Sequence, residues 1–358
     1  MITIVLTNRN RNLKTIKNCF ESLYRQSNQE FELFFVDYGS NENYIFNLKQ
    51  LLQEYPKVNA VLCPVSGQLW NKCRAINIAL KKCRSPYFFV GDIDMIFHPD
   101  FVKELYIIKN EEKVTYFQVG FLSKQEASLN KDFNNAIIAF KSKKEATGMS
   151  FYPTEILKKI NGYNEFYHGW GAEDTDVHIR LRNLGITVDF YDKYIFIKHQ
   201  WHPKTYRTRL SQEPFHFNLE KINHSYIKLS ENTQQTLTNL KNQWGVLPDP
   251  NEYNILSGTP DFTIDLLPEI AAVNACLAQL KNFEKKLISV AVKDVENANK
   301  IKQLTKKALG KKHLQFLSMK NVNDLILNEI VVHYRNLPYH YSFNEAEKTI
   351  RLKIYFPV

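Results

Sequence analysis

Tyr87-Phe88-Phe89-Val90-Gly91-Asp92-Ile93-Asp94 is the stretch on which the fold turns. Four apolar residues in succession read as a strand buried on both faces, the form that a parallel sheet gives its interior strands. Gly91 stops the run and two carboxylates follow. Upstream, the same kind of unit recurs. Residues 2–6 are a short apolar run, and residues 12–24 bring Leu13, Ile16, Phe20 and Leu23 round at helical spacing. Residues 31–36 form a second apolar run ending at Asp37-Tyr38-Gly39-Ser40, and residues 44–55 are helical up to Pro56. Residues 58–63 read as a third strand, and residues 70–82 as the helix that leads into Tyr87. Strands alternating with helices at this spacing predict βαβ units: an α/β fold with a mostly parallel, Rossmann-like central sheet and helices on both faces.

In open parallel sheets, ligands bind beyond the carboxyl ends of the strands. Three polar clusters fall at such ends: Thr7-Asn8-Arg9, Asp37-Tyr38-Gly39-Ser40 and Gly91-Asp92-Ile93-Asp94. In extended backbone, residues i and i+2 project to one side, so Asp92 and Asp94 are expected to face the same cation. Two carboxylates suit Mg²⁺ or Mn²⁺, and such a cation can bridge to a diphosphate. The plainer reading is an acidic turn after a strand.

Farther on, residues 154–160 read as a short helix closed by Asn161-Gly162, and residues 174–184 as a helix ended by Gly185. Before the second of these stands Tyr167-His168-Gly169-Trp170-Gly171-Ala172-Glu173-Asp174-Thr175-Asp176. Glycines on either side of Trp170 permit a tight loop, and the indole offers a flat apolar face to a sugar ring. Glu173 and Asp174 lie where a helix dipole favours negative charge. Helix capping alone explains the acids, but it does not call for Gly-Trp-Gly. Residues 186–190 and 194–198 read as strands, the latter followed by His199-Gln200-Trp201-His202-Pro203. A neutral imidazole can complete a metal site begun by carboxylates, and both His199 and His202 are candidates.

The hydrophobic content of 44% and aromatic content of 13% suit a packed core and exclude a disordered chain. The net charge of +10 is compatible with nucleic acid, an anionic membrane, a phosphorylated substrate, or simply a lysine-rich surface. No nucleic-acid recognition motif accompanies that charge, so no nucleic-acid partner is expected. The N-terminus lacks the pattern of a secretory signal, and no apolar run reaches about 18 residues. Five cysteines with no CxxC spacing suggest reduced thiols and a cytoplasmic location. After about residue 205 the pattern changes. Residues 211–243 are polar and helical in pattern, 244–260 read as a linker, 264–309 as largely helical, and 349–355 as a strand. Two parts follow: residues 1–245, and a mainly helical accessory region over 246–358. The lysine-rich helices of the second read either as a solvated face or as a peripheral contact with the inner face of the plasma membrane.

Taken together and in order, the motifs resemble those of family 2 glycosyltransferases of the GT-A fold. The middle segment is similar to the catalytic part of the β-1,4-galactosyltransferases and bacterial chondroitin polymerases. Val90-Gly91-Asp92-Ile93-Asp94 matches the DxD position, and Ile197-Lys198-His199 the segment with the metal-binding histidine. Gly169-Trp170-Gly171-Ala172-Glu173-Asp174 matches Gly-Trp-Gly-Gly-Glu-Asp, with Ala172 in place of one glycine. The resemblance implies Asp94 and His199 as ligands of Mn²⁺ or Mg²⁺, with Asp92 near the metal or the ribose and His202 as a competing ligand. It implies Asp174 as the catalytic base, Glu173, Trp170 and Gly171 at the acceptor, and Thr7, Arg9, Asp37 and Arg74 at the nucleotide. The family often has two aspartates where this chain has Asp37-Tyr38. The implied reaction is inverting transfer from a UDP-hexose or UDP-N-acetylhexosamine to a glycan or lipid-linked glycan hydroxyl, in surface polysaccharide such as capsule or lipopolysaccharide. Two rivals remain: a nucleotide-sugar-binding partner without turnover, and a nucleotidyltransferase. The latter would show a glycine-rich loop after the first strand, and Thr7-Asn8-Arg9-Asn10-Arg11 has the charge but no glycine.

Overall fold

The computed structural model of the chain describes residues 1–129, 131–203 and 217–357. Its contacts divide into two units. The first comprises Met1–Cys63, Trp70–Ser211 and Leu219–Leu247; the second comprises Pro64–Leu69, Gln212–Asn218 and Pro248–Val358.

The first unit holds β1 (Ile2–Asn8), β2 (Phe31–Tyr38), β3 (Val58–Cys63), β4 (Tyr87–Asp92), β5 (Met95–Phe97) and β6 (Lys113–Phe117). It continues with β7 (Val119–Leu122), β8 (Ile138–Lys141), β9 (Ser150–Pro153), β10 (Thr187–Tyr191) and β11 (Ile197–His199). Seven strands form one sheet in the order β10-β6-β9-β4-β1-β2-β3. β1, β2, β3 and β4 run parallel, as do β6 and β10, while β9 lies antiparallel between β4 and β6. A smaller sheet has the order β5-β11-β7-β8. The expected mostly parallel α/β architecture is therefore the observed one.

Every residue of β1 is buried, as a central strand covered on both faces requires. Its alternate residues Ile2, Ile4 and Leu6 share a core with Ile16, Phe20 and Leu23 of the helix Leu13–Tyr24, and with Phe35 and Phe89. The helix Lys72–Lys82 is buried from Cys73 through Leu80. Its polar members are satisfied: Asn77 donates to the Tyr163 carbonyl at 2.8 Å and to Glu165 at 2.9 Å, and accepts from the Tyr163 amide at 2.8 Å. Register fixes what meets at the strand ends. Thr7 lies opposite Asp92, and Asn8 opposite Asp37.

Two readings change. The extended backbone expected through Asp94 ends at Asp92, and Ile93 and Asp94 form the turn between β4 and β5. The C-terminal region is not largely helical. β12 (Phe262–Leu266), β13 (Lys286–Lys293), β14 (Tyr339–Asn344) and β15 (Thr349–Phe356) make a sheet of order β12-β13-β15-β14. β12 and β13 are parallel and are joined through the helix Ile270–Leu280. The reason lies in β13: Ile288, Val290 and Val292 alternate with the less buried Ser289 and Ala291, and β-branched side chains at period two suit a pleated sheet. Of the stretch expected to be helical over 211–243, Phe217–Asn232 is a helix, and residues 211–216 lie outside the described residues. Among the described residues, no helix is long and apolar enough to cross a membrane.

Candidate active site

All the residues singled out from sequence lie in the first unit. The segments after β1, β4 and β11, with the helix starts at Lys72 and Glu173, supply two charged groups of side chains.

The first group centres on Asp94. The turn after β4 buries its carboxylate, and Arg11, His202 and His199 face its Oδ2 at 3.0, 3.2 and 3.7 Å. Burial pushes this carboxyl upward, but His202, His199 and Arg11 outweigh it and hold Asp94 well below the usual carboxylate range. Burial lowers His199, which favours the neutral imidazole that metals bind. The ligand atoms of Asp94, His199 and His202 lie within 4.8 Å of one another. The other oxygen, Oδ1, is buried and has no hydrogen-bond partner among the described residues. A buried carboxylate oxygen without a donor, beside two imidazoles, fits a divalent cation. His199 is held by stacking: its ring lies 4.8 Å from Phe121, which stacks on Phe140 at 4.6 Å and 7°.

The second group centres on Lys72. Its ammonium contacts Asp92 Oδ1 at 3.1 Å, Asp174 Oδ2 at 3.1 Å and Glu173 Oε1 at 3.5 Å. Burial opposes the charge on Lys72, yet the three carboxylates raise it well above an ordinary lysine. Glu173 is pushed up to about 7, chiefly by burial, with Asp174 adding to the rise and Lys72 opposing it. Because Asp92 ends the strand and Asp94 lies in the turn, the two aspartates part company. Asp92 pairs with Lys72 and is not one of the three gathered ligands.

Sequence reasoning missed Lys72, although a signal was present. It is the first residue of its helix, where the macrodipole disfavours a cation, and such a placement calls for carboxylate partners from elsewhere. Arg11 was missed beside Arg9. So was the stacking that fixes His199, because Phe121 is far from it in sequence.

The loop before Asp174 is pinned from several sides. The Gly169 amide donates to the Trp70 carbonyl at 2.8 Å, and Asn223 donates to the carbonyls of His168 at 2.8 Å and Trp170 at 3.3 Å. Gly171 adopts φ +98°, a conformation open to glycine. Ala172 adopts φ +75° as the N-cap of the helix Glu173–Asn183, where a side chain costs about 1–2 kcal/mol. Behind the loop, the Asp176–Arg180 pair is wholly buried at 2.7 Å, with Tyr167 donating to Asp176 at 3.0 Å. Arg180 also donates to the carbonyls of Ile160 and Gly162 at 3.0 and 2.9 Å.

The expected nucleotide residues sit at the ends of β1 and β2 and on the buried helix. Thr7 is buried beside Asp92 across the β1–β4 ladder. Asp37 is fully buried, accepting from Asn8 and from the Ser40 hydroxyl at 2.6 Å each. Burial raises its carboxyl, opposed by those donors and by Arg9. Arg74 is buried and donates through Nε to the Val246 carbonyl at 3.2 Å.

Residues 128–202 match the sequence family described as the N-terminal domain of galactosyltransferase. No curated protein sequence matches the chain. Among solved structures, S. aureus TarS 1-349 in complex with UDP-GlcNAc is similar at 15% identity and a TM-score of 0.44, over 65% of this chain and 69% of that one. S. aureus TarS 1-349 is similar at 15% identity and a TM-score of 0.43, over 56% of this chain and 60% of that one. GalNAc-T7 with UDP, GalNAc and Mn²⁺ is similar at 15% identity and a TM-score of 0.45, over 63% and 47%. The chain thus spans between 47% and 69% of the length of these three. In the segment that carries Trp170, Asp174 and His199, set in a mainly parallel α/β unit, this chain is similar to glycosyltransferases of the GT-A type.

Proposed function

We propose that the chain is a metal-dependent, inverting glycosyltransferase that moves a hexose or N-acetylhexosamine from a nucleotide diphosphate donor to the hydroxyl of a glycan. One observation carries this reading: the end of β4 and the turn after it supply Asp94 to His199 and His202, a set fit to hold a divalent cation, and Asp92 to Lys72, which also holds Asp174 and Glu173. One carboxylate with two imidazoles favours Mn²⁺ over Mg²⁺, which prefers an all-oxygen shell. Bound there, the cation would neutralise charge developing on the leaving diphosphate.

The chain's own residues do the rest. Asp174 takes the proton from the acceptor hydroxyl as that oxygen forms its bond to the anomeric carbon. The bond from that carbon to the diphosphate oxygen breaks with its electron pair leaving on the diphosphate, so configuration inverts. Lys72 orients the Asp174 carboxylate and ties it to Asp92. Glu173, with a carboxyl at about 7, offers the acceptor hydroxyl either a donor or an acceptor near neutral pH. Trp170, in the loop that leads into Glu173 and Asp174, offers an aromatic face to a sugar ring. Asp37, Thr7 and Arg9 line the nucleotide end. The resemblance extends the proposal to a UDP-sugar donor and to a surface polysaccharide or lipid-linked acceptor, made in the cytoplasm.

The test is a panel of nucleotide sugars assayed with and without Mn²⁺ for thermal stabilisation, donor hydrolysis and transfer. Asp174→Asn is expected to lose transfer by about 10²–10⁴-fold while keeping donor binding. Turnover by that variant equal to the parent's would remove Asp174 as the base. Donor binding without hydrolysis or transfer to any acceptor would leave a binding subunit in place of an enzyme.

A further inference from the structure

In the second unit, the helix Asn297–Ala308 is composed in one way and placed in another. Ile301, Leu304 and Ala308 recur at i, i+3 and i+7 and form one stripe along it. A stripe of this kind normally faces a core. Here Ile301 is 62% exposed, Leu304 65% and the following Leu309 63%, while among the described residues of the helix the partly buried ones are the polar Gln303 and Lys306. Gln303 also ties the helix down by accepting from the Leu314 amide at 2.9 Å. The helix is therefore attached by its polar side and turns its apolar side to solvent.

The charges around that stripe are of one sign. Residues 297–314 contain six lysines and no aspartate or glutamate. At about 100° per residue, Lys302 borders the stripe on one side and Lys307 on the other, while Lys306 lies with Gln303 on the attached side. The segment then continues to Lys311-Lys312.

We propose that the helix Asn297–Ala308, with Leu309 and Lys311-Lys312, docks in the plane of an anionic lipid surface. Ile301, Leu304 and Leu309 enter the boundary between headgroups and acyl chains, and the lysines meet lipid phosphates with their aliphatic stems along the same boundary. The stripe and the charge each exclude another occupant. A nucleic acid would satisfy the lysines and leave Ile301 and Leu304 in water. A second copy of the chain would cover the leucines and set six lysines against six.

The experiment uses the full chain and does not depend on transferase activity. Flotation is measured with vesicles of phosphatidylcholine alone and of equal parts phosphatidylcholine and phosphatidylglycerol, at low and high salt. Binding is expected to the mixed vesicles, to weaken with salt, and to be about ten-fold or more weaker for neutral vesicles. Ile301→Ser with Leu304→Ser is expected to weaken it about ten-fold or more with thermal unfolding unchanged, since both side chains are already in solvent. Lys302→Glu with Lys307→Glu is expected to abolish it. Absence of binding to mixed vesicles at low salt overturns the proposal, as does a serine variant that floats like the parent. Retention of single-stranded DNA without flotation would reassign the segment to a polyanion. A dimer lost in the serine variant, without flotation by the parent, would reassign it to self-association.

Discussion

Replacing Glu173 by glutamine is expected to make the protein more stable, and to do so only above mildly acidic pH. The Glu173 carboxyl stands at about 7 against an ordinary 4.5, chiefly because it is buried. Between those values the folded chain binds more protons than the unfolded one. Stability therefore falls as pH rises through that window and stays at the lower level above it. At about 1.4 kcal/mol per pH unit, the displacement amounts to roughly 3 kcal/mol by pH 8. Part of that is offset, because glutamine gives up the charge on the 3.5 Å contact with Lys72. Lys72 keeps Asp92 and Asp174, each at 3.1 Å, so it is not left without a counter-charge. Thermal and urea unfolding of both proteins in chelator, at pH 4 and pH 8, make the assay. The two should coincide at pH 4, and the variant should melt higher at pH 8 by up to about 6 °C. A gap of the same size at both pH values, or a variant that melts lower at pH 8, would refute the idea that burial of this carboxylate is a cost borne by the fold. A carboxylate kept where it destabilises is expected to serve the chemistry, so the variant should lose transfer as it gains stability.

Mn²⁺ at a hundred-fold excess over its dissociation constant is expected to stabilise the parent by about 2.7 kcal/mol, and Asp94→Asn should remove that increment, read as a loss of the metal-dependent rise in melting temperature. Arg180→Met leaves the Asp176 carboxylate buried without its cation, with Tyr167 still donating to it, and urea unfolding should show a loss of about 3–5 kcal/mol. Ala172→Gly relieves a side chain held at φ +75° and should raise stability by about 0.5–1 kcal/mol after the added freedom of the unfolded chain is counted, with the Trp170 loop otherwise unchanged.

Local pattern was enough to read the elements from β1 to β4, because a buried strand and an amphipathic helix each declare themselves within a few residues. The strands β5 to β9 were not read. They are three to five residues long, too short for a period to show, and β9 joins the sheet only through neighbours distant in sequence. The C-terminal region was misread because Phe262–Leu266 and Lys286–Lys293 flank a true helix, and pairing between strands outweighed the surrounding helical composition.

The amino-acid sequence by itself determined the mostly parallel sheet, the strand ends at which Thr7, Asp37 and Asp92 gather, and the acidic helix start at Glu173 and Asp174. These follow from residue period and from the rules for helix and strand ends, which act over short spans. Only the tertiary structure decided which charges meet. It took the turn at Ile93 and Asp94 to send one aspartate to His199 and His202 and leave the other to Lys72. Lys72 and Glu173 are 101 residues apart, and no local preference can encode an encounter across that distance. Packing of the buried helix Lys72–Lys82 against the sheet sets it, because a cation at that helix start is tolerated only where carboxylates from another element close over it.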